Sequence, residues 1–136
     1  MNTLRLAPDL RAQIEREARA AFPRECCGLI EGTRTREEAL AKVLHATHNM
    51  AWELDRFEVD PVDQFRILRA ARDNGAEVVG CYHSHPNGTA EPSEHDRESA
   101  REEGFVWVIA ALTDGDNAVL AAFAVQSGQF VPIVIK

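Results

Sequence analysis

The chain has 136 residues, 45% of them hydrophobic and 27% charged, an ordinary globular composition that can bury about two-thirds of its unfolded surface without staples. Its 22 acidic residues against 15 basic ones leave a net charge of −7, which argues against a general nucleic-acid or anionic-membrane binder, since both need a basic face. The longest apolar run, residues 105–112, is too short to span a bilayer and residues 1–6 lack a signal's apolar core, so one cytoplasmic domain, 1–136, is expected.

Pro8, at a first-turn position, opens a helix carrying Leu10, Ile14, Ala18 and Ala21 or Phe22 on one stripe, and Pro23 ends it. A strand follows from about Cys26 through Leu29 and Ile30 and closes at Gly32. Residues 33–38 read as a charged turn and residues 39–46 as a strand, although the alanines there also suit a helix. Cys26, Cys27 and Cys81 all fall on apolar strands. An odd number of thiols makes no disulfide framework in the cytoplasm, so they are expected as small buried hydrophobes. His45 and His48 are candidates for a second metal pair, but spacing fixes no carboxylate partner, and surface or outer-shell positions are expected. Residues 49–56 are loop and 57–59 a short strand. Asp60-Pro61 then caps and starts a helix that runs to Asn74-Gly75, with Val62, Phe65 and Leu68 as its apolar stripe.

Residues 78–82 have the look of a buried strand, which continues into His83-Ser84-His85 until Pro86, lacking an N–H, stops the ladder. Alternation along a strand puts His83 and His85 on one face, about 6.6 Å apart, so both imidazoles can close on one metal ion. A turn-rich loop over 86–92 leads to Ser93-Glu94-His95-Asp96, which opens a charged helix running to Glu103 and ended by Gly104. Ser93 and Asp96 make an acceptable capping box, which alone accounts for both residues. If the loop instead brings Asp96 over the histidines, two His and one Asp leave a fourth position open, the pattern of a catalytic rather than a structural zinc. Spacing by itself leaves these readings about even. Cys81 shares the face of His83 and is the weaker candidate, because three protein positions are already filled. Residues 105–112 form a buried strand, Asp114-Gly115-Asp116-Asn117 a hairpin turn and residues 118–125 the returning strand. Gly128 marks another turn before a last strand over 130–135. Three helices and about six or seven strands make a mixed α/β (α+β) domain.

His83-Ser84-His85-Pro86, the ten residues between His85 and Asp96, and Pro92-Ser93-x-x-Asp96 resemble the signature of the JAMM (MPN-plus) metalloprotease family. That family also needs an upstream glutamate on the first strand after an N-terminal helix. Pro23-Arg24-Glu25-Cys26-Cys27-Gly28-Leu29 is similar to the small prokaryotic members, and the similarity extends over Asn49 and Phe57-Glu58-Val59-Asp60-Pro61 to nearly the whole chain. The resemblance implies the MPN fold, a curved mixed β-sheet flanked by about three helices in a cytidine-deaminase-like layout. It implies one zinc per chain on His83, His85 and Asp96, with Glu25 as general acid–base and the Ser93 hydroxyl on the developing oxyanion. Without it, Glu25 reads as an exposed strand-edge glutamate. It further implies hydrolysis of the peptide or isopeptide bond after the C-terminal Gly-Gly of a ubiquitin-like protein, for the small prokaryotic members a sulfur carrier. A diglycine tail suits a narrow slot and can pair as an added strand. Deconjugation of protein conjugates is the runner-up. A non-catalytic MPN scaffold lacks the ligands this chain carries, and a base deaminase calls for a Pro-Cys-x-x-Cys that does not occur here. A non-haem iron oxygenase would share two histidines and a carboxylate, and metal analysis separates that case.

Overall fold

The structure, a computed structural model, describes residues 1–113 and 117–136. Its elements run β1 (Thr3–Arg5), α1 (Pro8–Ala21), β2 (Cys27–Arg34), β3 (Glu38–Thr47), α2 (Pro61–Asp73), β4 (Glu77–His85), α3 (Glu94–Ser99), β5 (Val106–Leu112), β6 (Ala118–Gln126) and β7 (Gln129–Ile135). Of the turn expected over Asp114-Gly115-Asp116-Asn117, the first three residues lie outside the described ones.

The fold is the expected mixed α+β one, and its curved sheet closes on itself as a barrel in the order β1-β3-β2-β4-β5-β6-β7. β4 runs parallel to β5, and β1 runs parallel to both β3 and β7; the remaining pairings are antiparallel. The closing strand, β1, is absent from the sequence reading. Three residues carry no periodicity, and β1 exists because its backbone has partners on both sides while Leu4 is fully buried. The charged turn expected over 33–38 is tighter, since β2 runs to Arg34 and β3 starts at Glu38. Thr35 Oγ1 accepts from the N–H groups of Glu37 and Glu38 and holds what remains.

Side chains alternate across the central strands, so β4 and β5 each serve two cores. Tyr82, Val106 and Val108 pack with Ile14 and Ala18 of α1 on one side. Cys81 and Trp107 pack with Leu29 and with Ile67 of α2 on the other. Gly28 is required where it stands: a Cβ there would collide with the Tyr82 ring, whose hydroxyl donates to Glu17 Oε1 at 2.7 Å and ties α1 to the sheet. Cys26, Cys27 and Cys81 are buried and unbridged, as expected.

Two helices differ from expectation. On α2, Val62, Phe65 and Leu68 are 74%, 64% and 43% exposed, while Asp63, Ile67 and Ala71 turn inward. The inward set has i, i+4, i+8 spacing, and polar bonds at both ends fix the helix rotation. Asp63 Oδ2 accepts from His48 N at 2.8 Å, and Asn74 Nδ2 donates to Glu31 Oε2 at 3.2 Å. The helix expected over 93–103 is only α3, which stops where Ala100 leaves helical geometry at ψ 94° and enters the core. Its charged sequence has no apolar stripe to support a longer run. Residues 57–59 form no strand; Val59 makes an isolated bridge to Asn49. Among the described residues, no helix is long and apolar enough to cross a membrane.

Candidate metal centre and active site

Strand alternation carries His83 and His85 onto the α2 side of β4, and their Nε2 atoms meet at 3.0 Å. Asp96, arriving on the first turn of α3, places Oδ2 at 3.1 Å from His83 Nε2 and 3.2 Å from His85 Nε2. The three residues are 0%, 5% and 2% exposed. The two readings of Ser93 and Asp96 turn out to be one arrangement. Ser93 Oγ accepts from Asp96 N at 3.0 Å, and the same Asp96 Oδ2 accepts from Ser93 N at 2.9 Å, so the capping box aims the carboxylate at the histidines. His85 Nδ1 faces the Thr89 carbonyl at 2.7 Å; donating there, it leaves the Nε2 lone pair turned inward.

This triangle fits a divalent transition metal. A tetrahedral ion with N and O ligands at about 2.0–2.1 Å has ligand–ligand edges of about 3.3 Å, close to the spacing seen. Two ring nitrogens and a carboxylate oxygen, all buried, converge there, and with both imidazoles neutral and protonated on Nδ1 all three would present lone pairs to one ion. The electrostatics agree at His83 and run the other way at His85. Burial lowers the pKa of His83, favouring the neutral imidazole that binds metals. At His85 burial has the same tendency but loses to the hydrogen bonds the ring makes to the Asp96 carboxylate and the Thr89 carbonyl, and the pKa rises. Burial would raise Asp96, yet the two histidines hold it well below the usual carboxylate range.

Glu25 stands at the end of the loop that enters β2 and is 4% exposed, not the exposed edge residue its sequence context implies. Its backbone is fastened from three directions. Asn49 Nδ2 donates to the Glu25 carbonyl at 3.0 Å, the neighbouring Cys26 N donates to Ser84 Oγ at 2.8 Å, and the Arg24 guanidinium donates to the carbonyls of Ala51 and Trp52. The carboxylate is less committed: Oε1 has no hydrogen-bond partner among the described residues, and an oxygen of this group lies within 4.8 Å of the His83 and His85 ring nitrogens. Asp96 is the candidate third ligand, with Oδ2 in direct contact with both nitrogens at 3.1 and 3.2 Å. Burial pushes the Glu25 pKa up to about 8, with His85 opposing and Asp96 adding to the rise.

A pH signature follows for the metal-free protein. A carboxyl whose folded pKa is about 8, against an unfolded value near 4.3, is protonated in the native state over a range where the unfolded chain is ionised. Its contribution to stability is full below about pH 4.3 and is lost as pH rises through 8. Melting curves of chelated wild type and Glu25→Gln between pH 5 and 8.5 should therefore diverge, the wild type losing the more with rising pH. Parallel curves would contradict the burial of this group.

A cavity of about 600 Å³ opens beside the cluster, and Glu25, Leu54, His85, Pro92 and Ser93 contribute to its wall. Three contributors escaped the sequence reading as site residues. The Phe57 ring stacks on the His83 imidazole with centroids 4.4 Å apart, the Thr89 carbonyl orients His85, and Asn49 knits residues 49–58 to the Glu25 backbone. A carbonyl carries no sequence signal at all. His45 and His48 do not form a pair. His45 Nε2 sits 2.9 Å from Glu31 Oε1, and His48 Nδ1 sits 3.0 Å from Asp63 Oδ2. His48, Asp60 and Asp63 come within 4.8 Å of one another, but Asp60 caps Val62 N, Asp63 accepts from His48 N, and the positive end of α2 opposes a cation. Cys81 is buried in the core with Leu29 and Trp107 and belongs to neither ligand group.

The family described as prokaryotic homologs of the JAB domain matches residues 7–125. The chain is 36% identical over 113 residues to a desampylase of Haloferax volcanii, covering 79% of this chain and 80% of that protein. It is 32% identical over 130 residues to a probable TtuB-protein conjugate cleaving protease of Thermus thermophilus, covering 96% of this chain and 78% of the relative. Among solved structures, a JAB1/MPN domain protein from Archaeoglobus fulgidus superposes with a TM-score of 0.60 at 19% identity, covering all of this chain and 97% of the other, a likeness of fold.

Proposed function

The chain belongs to the family of prokaryotic homologs of the JAB domain, and from that membership we propose that it is a zinc-dependent isopeptidase. Its substrate is a ubiquitin-like, sulfur-carrier type protein joined through a C-terminal Gly-Gly, and the bond it hydrolyses is the one that follows. The observation that carries this reading is the buried triangle of His83, His85 and Asp96 with the uncommitted Glu25 carboxylate beside it. The names of the Haloferax and Thermus relatives support a conjugate as substrate, and the word conjugate in the second favours an isopeptide bond over trimming of a precursor.

Zinc held by His83, His85 and Asp96 would act as a Lewis acid, acidifying a water and polarising the scissile carbonyl. The chain's own residues handle the protons. Glu25, whose burial favours the neutral acid, is drawn toward its ionised form by a positive charge next to it and takes a proton from the attacking water. The C–N bond then breaks, and Glu25 returns that proton to the departing amine, so one carboxyl serves as base and then as acid. Among the described residues Ser93 Oγ accepts from Asp96 N and leaves its own proton to donate, and we assign that donation to the developing oxyanion. Pro92 and Leu54 add apolar surface to the cavity wall beside these groups.

The test is incubation of the zinc-loaded protein with a carrier linked through its terminal glycine to a lysine side chain, read by intact mass. Free carrier ending in Gly-Gly is the expected product. Replacing the last glycine of the carrier by valine should slow release by at least about 10²-fold, because a branched side chain cannot enter a slot that recognises backbone. Equal rates on both carriers would identify a general peptidase instead.

A further inference from the structure

Two residues of the candidate metal triangle are oriented by visible hydrogen bonds. His85 has the Thr89 carbonyl on Nδ1, and Asp96 has the Ser93 N–H on the oxygen that faces the histidines. His83 differs. Its ring is fully buried, and Nδ1 has no hydrogen-bond partner among the described residues. A metal-binding histidine ordinarily donates its second ring N–H to a fixed acceptor that sets both tautomer and orientation. Something else must hold this ring.

The aromatic contacts supply it. Phe57 lies nearly flat on the imidazole, with centroids 4.4 Å apart and planes 26° apart. Trp107 meets the same imidazole edge-on at 5.8 Å and 89°, and also meets Phe57 at 5.8 Å and 65°. The three rings form a closed set, each touching the other two. Rotation of the imidazole about its Cβ–Cγ bond would have to push Phe57 aside. Phe57 cannot yield easily, because Met50 N donates to the Glu58 carbonyl at 2.8 Å and Glu58 N donates to Asn49 Oδ1 at 3.0 Å, anchoring the chain one residue beyond it. Phe57 and Trp107 also border a cavity of about 420 Å³ to which His95 and Ser99 of α3 contribute. Among the described residues, Phe57 is the ring stacked flat on the imidazole, while Trp107 meets it edge-on.

We propose that Phe57 is a positioning residue for the metal centre, fixing the His83 imidazole by stacking in the place of a hydrogen bond to Nδ1. The inference rests on the metal-centre reading above and adds to it the device that orients one ligand. Stacked aromatic pairs contribute beyond their buried area through ring geometry, and an aliphatic side chain of similar bulk keeps the area but not the flat face.

The experiment compares metal affinity across wild type, Phe57→Leu, Phe57→Tyr and Phe57→Trp, by competition with a chromophoric chelator using Zn²⁺ and separately Co²⁺. Phe57→Leu should weaken Zn²⁺ binding by about tenfold, the lower end of what losing an outer partner of a metal-bound histidine costs. Tyr and Trp, which restore a flat ring, should stay within about threefold of wild type. The visible bands of the Co²⁺ protein should shift and broaden in Phe57→Leu and return in Phe57→Tyr, a response that a general loss of packing does not give. Melting of all four metal-free proteins checks that each is folded. If Phe57→Leu binds Zn²⁺ as tightly as wild type with an unchanged Co²⁺ spectrum, the stacking does not position His83. If affinity falls equally in Leu, Tyr and Trp variants, bulk rather than stacking matters and the proposal also fails. Failure of the wild type itself to bind either ion overturns the metal-centre reading, and the Phe57 proposal with it, in a separate and recognisable way.

Discussion

Replacing Glu25 by glutamine should leave the protein folded and metal-loaded yet reduce turnover by about 10²–10⁴-fold, the usual cost of removing a general acid–base. The substitution keeps the shape of a side chain that is 4% exposed. An amide still fills the space but can neither take a proton from water nor return one to the departing amine. The local fold should survive because what holds Glu25 in position is main-chain bonding, the Asn49 amide on its carbonyl and Ser84 on the next N–H, neither of which uses the carboxylate. The measurements are kcat on a carrier conjugate and metal content by mass spectrometry on the same sample. A variant that loses its zinc would make Glu25 a ligand, consistent with its oxygen lying within 4.8 Å of both ring nitrogens, and would overturn the assignment of Asp96 as the third one. A variant that keeps both zinc and activity would remove Glu25 from the chemistry.

The other large effect is expected at the triangle itself. His83→Ala and His85→Ala should each take zinc from about one per chain to near zero and abolish hydrolysis, since either leaves two of three ligands. Asp96→Asn separates the two duties of that side chain. An amide oxygen can still accept from Ser93 N, so the helix cap persists, while the negative charge that two imidazoles and a cation share is gone. Its affinity should fall by more than the roughly 10–100-fold that an outer partner is worth, with little change in the melting of the metal-free protein. Asp96→Ala loses the bond to Ser93 N as well, while Ser93 Oγ still caps the backbone N–H at 96, and should be less stable by about 0.5–1.5 kcal/mol, less whatever is recovered by removing a buried anion. Full zinc retention in the His83→Ala/His85→Ala double variant would place the metal elsewhere in the chain.

How much of this was legible depended on the range of the interaction. The facing of His83 and His85 follows from strand alternation alone, and the sequence reading anticipated it. The reach of Asp96 was not decidable, because a capping box and a ligand can use the same carboxylate at the same spacing; here one oxygen accepts from Ser93 N and also faces the histidines. The burial of Glu25 was out of reach, since it depends on residues 49–58 folding back over the start of β2, and only the family resemblance raised it above an ordinary surface glutamate. The inward face of α2 was misread for a physical reason. Asp63 counts as polar in any periodicity, yet its bonds to His48 turn it inward and carry Val62 and Phe65 out to solvent. Barrel closure through β1 lay beyond local pattern as well, because a three-residue strand is defined by its neighbours and not by its own sequence.

The double service of the Asp96 carboxylate has a consequence for anyone who would move this site to another scaffold. A ligand set is usually grafted as side chains onto an existing backbone, with the supporting structure designed afterwards. Here the proposed third ligand is also the N3 half of the capping box of its own helix, and α3 is only six residues long, too short to persist without such support. The unit to transplant is therefore the whole stretch from the end of β4 through α3, including the Thr89 carbonyl and the Ser93 cap. A graft of His83, His85 and Asp96 alone would arrive without the start signal that aims one of them. The carboxylate oxygen that closes the capping box of α3 is the same one that faces the two histidines.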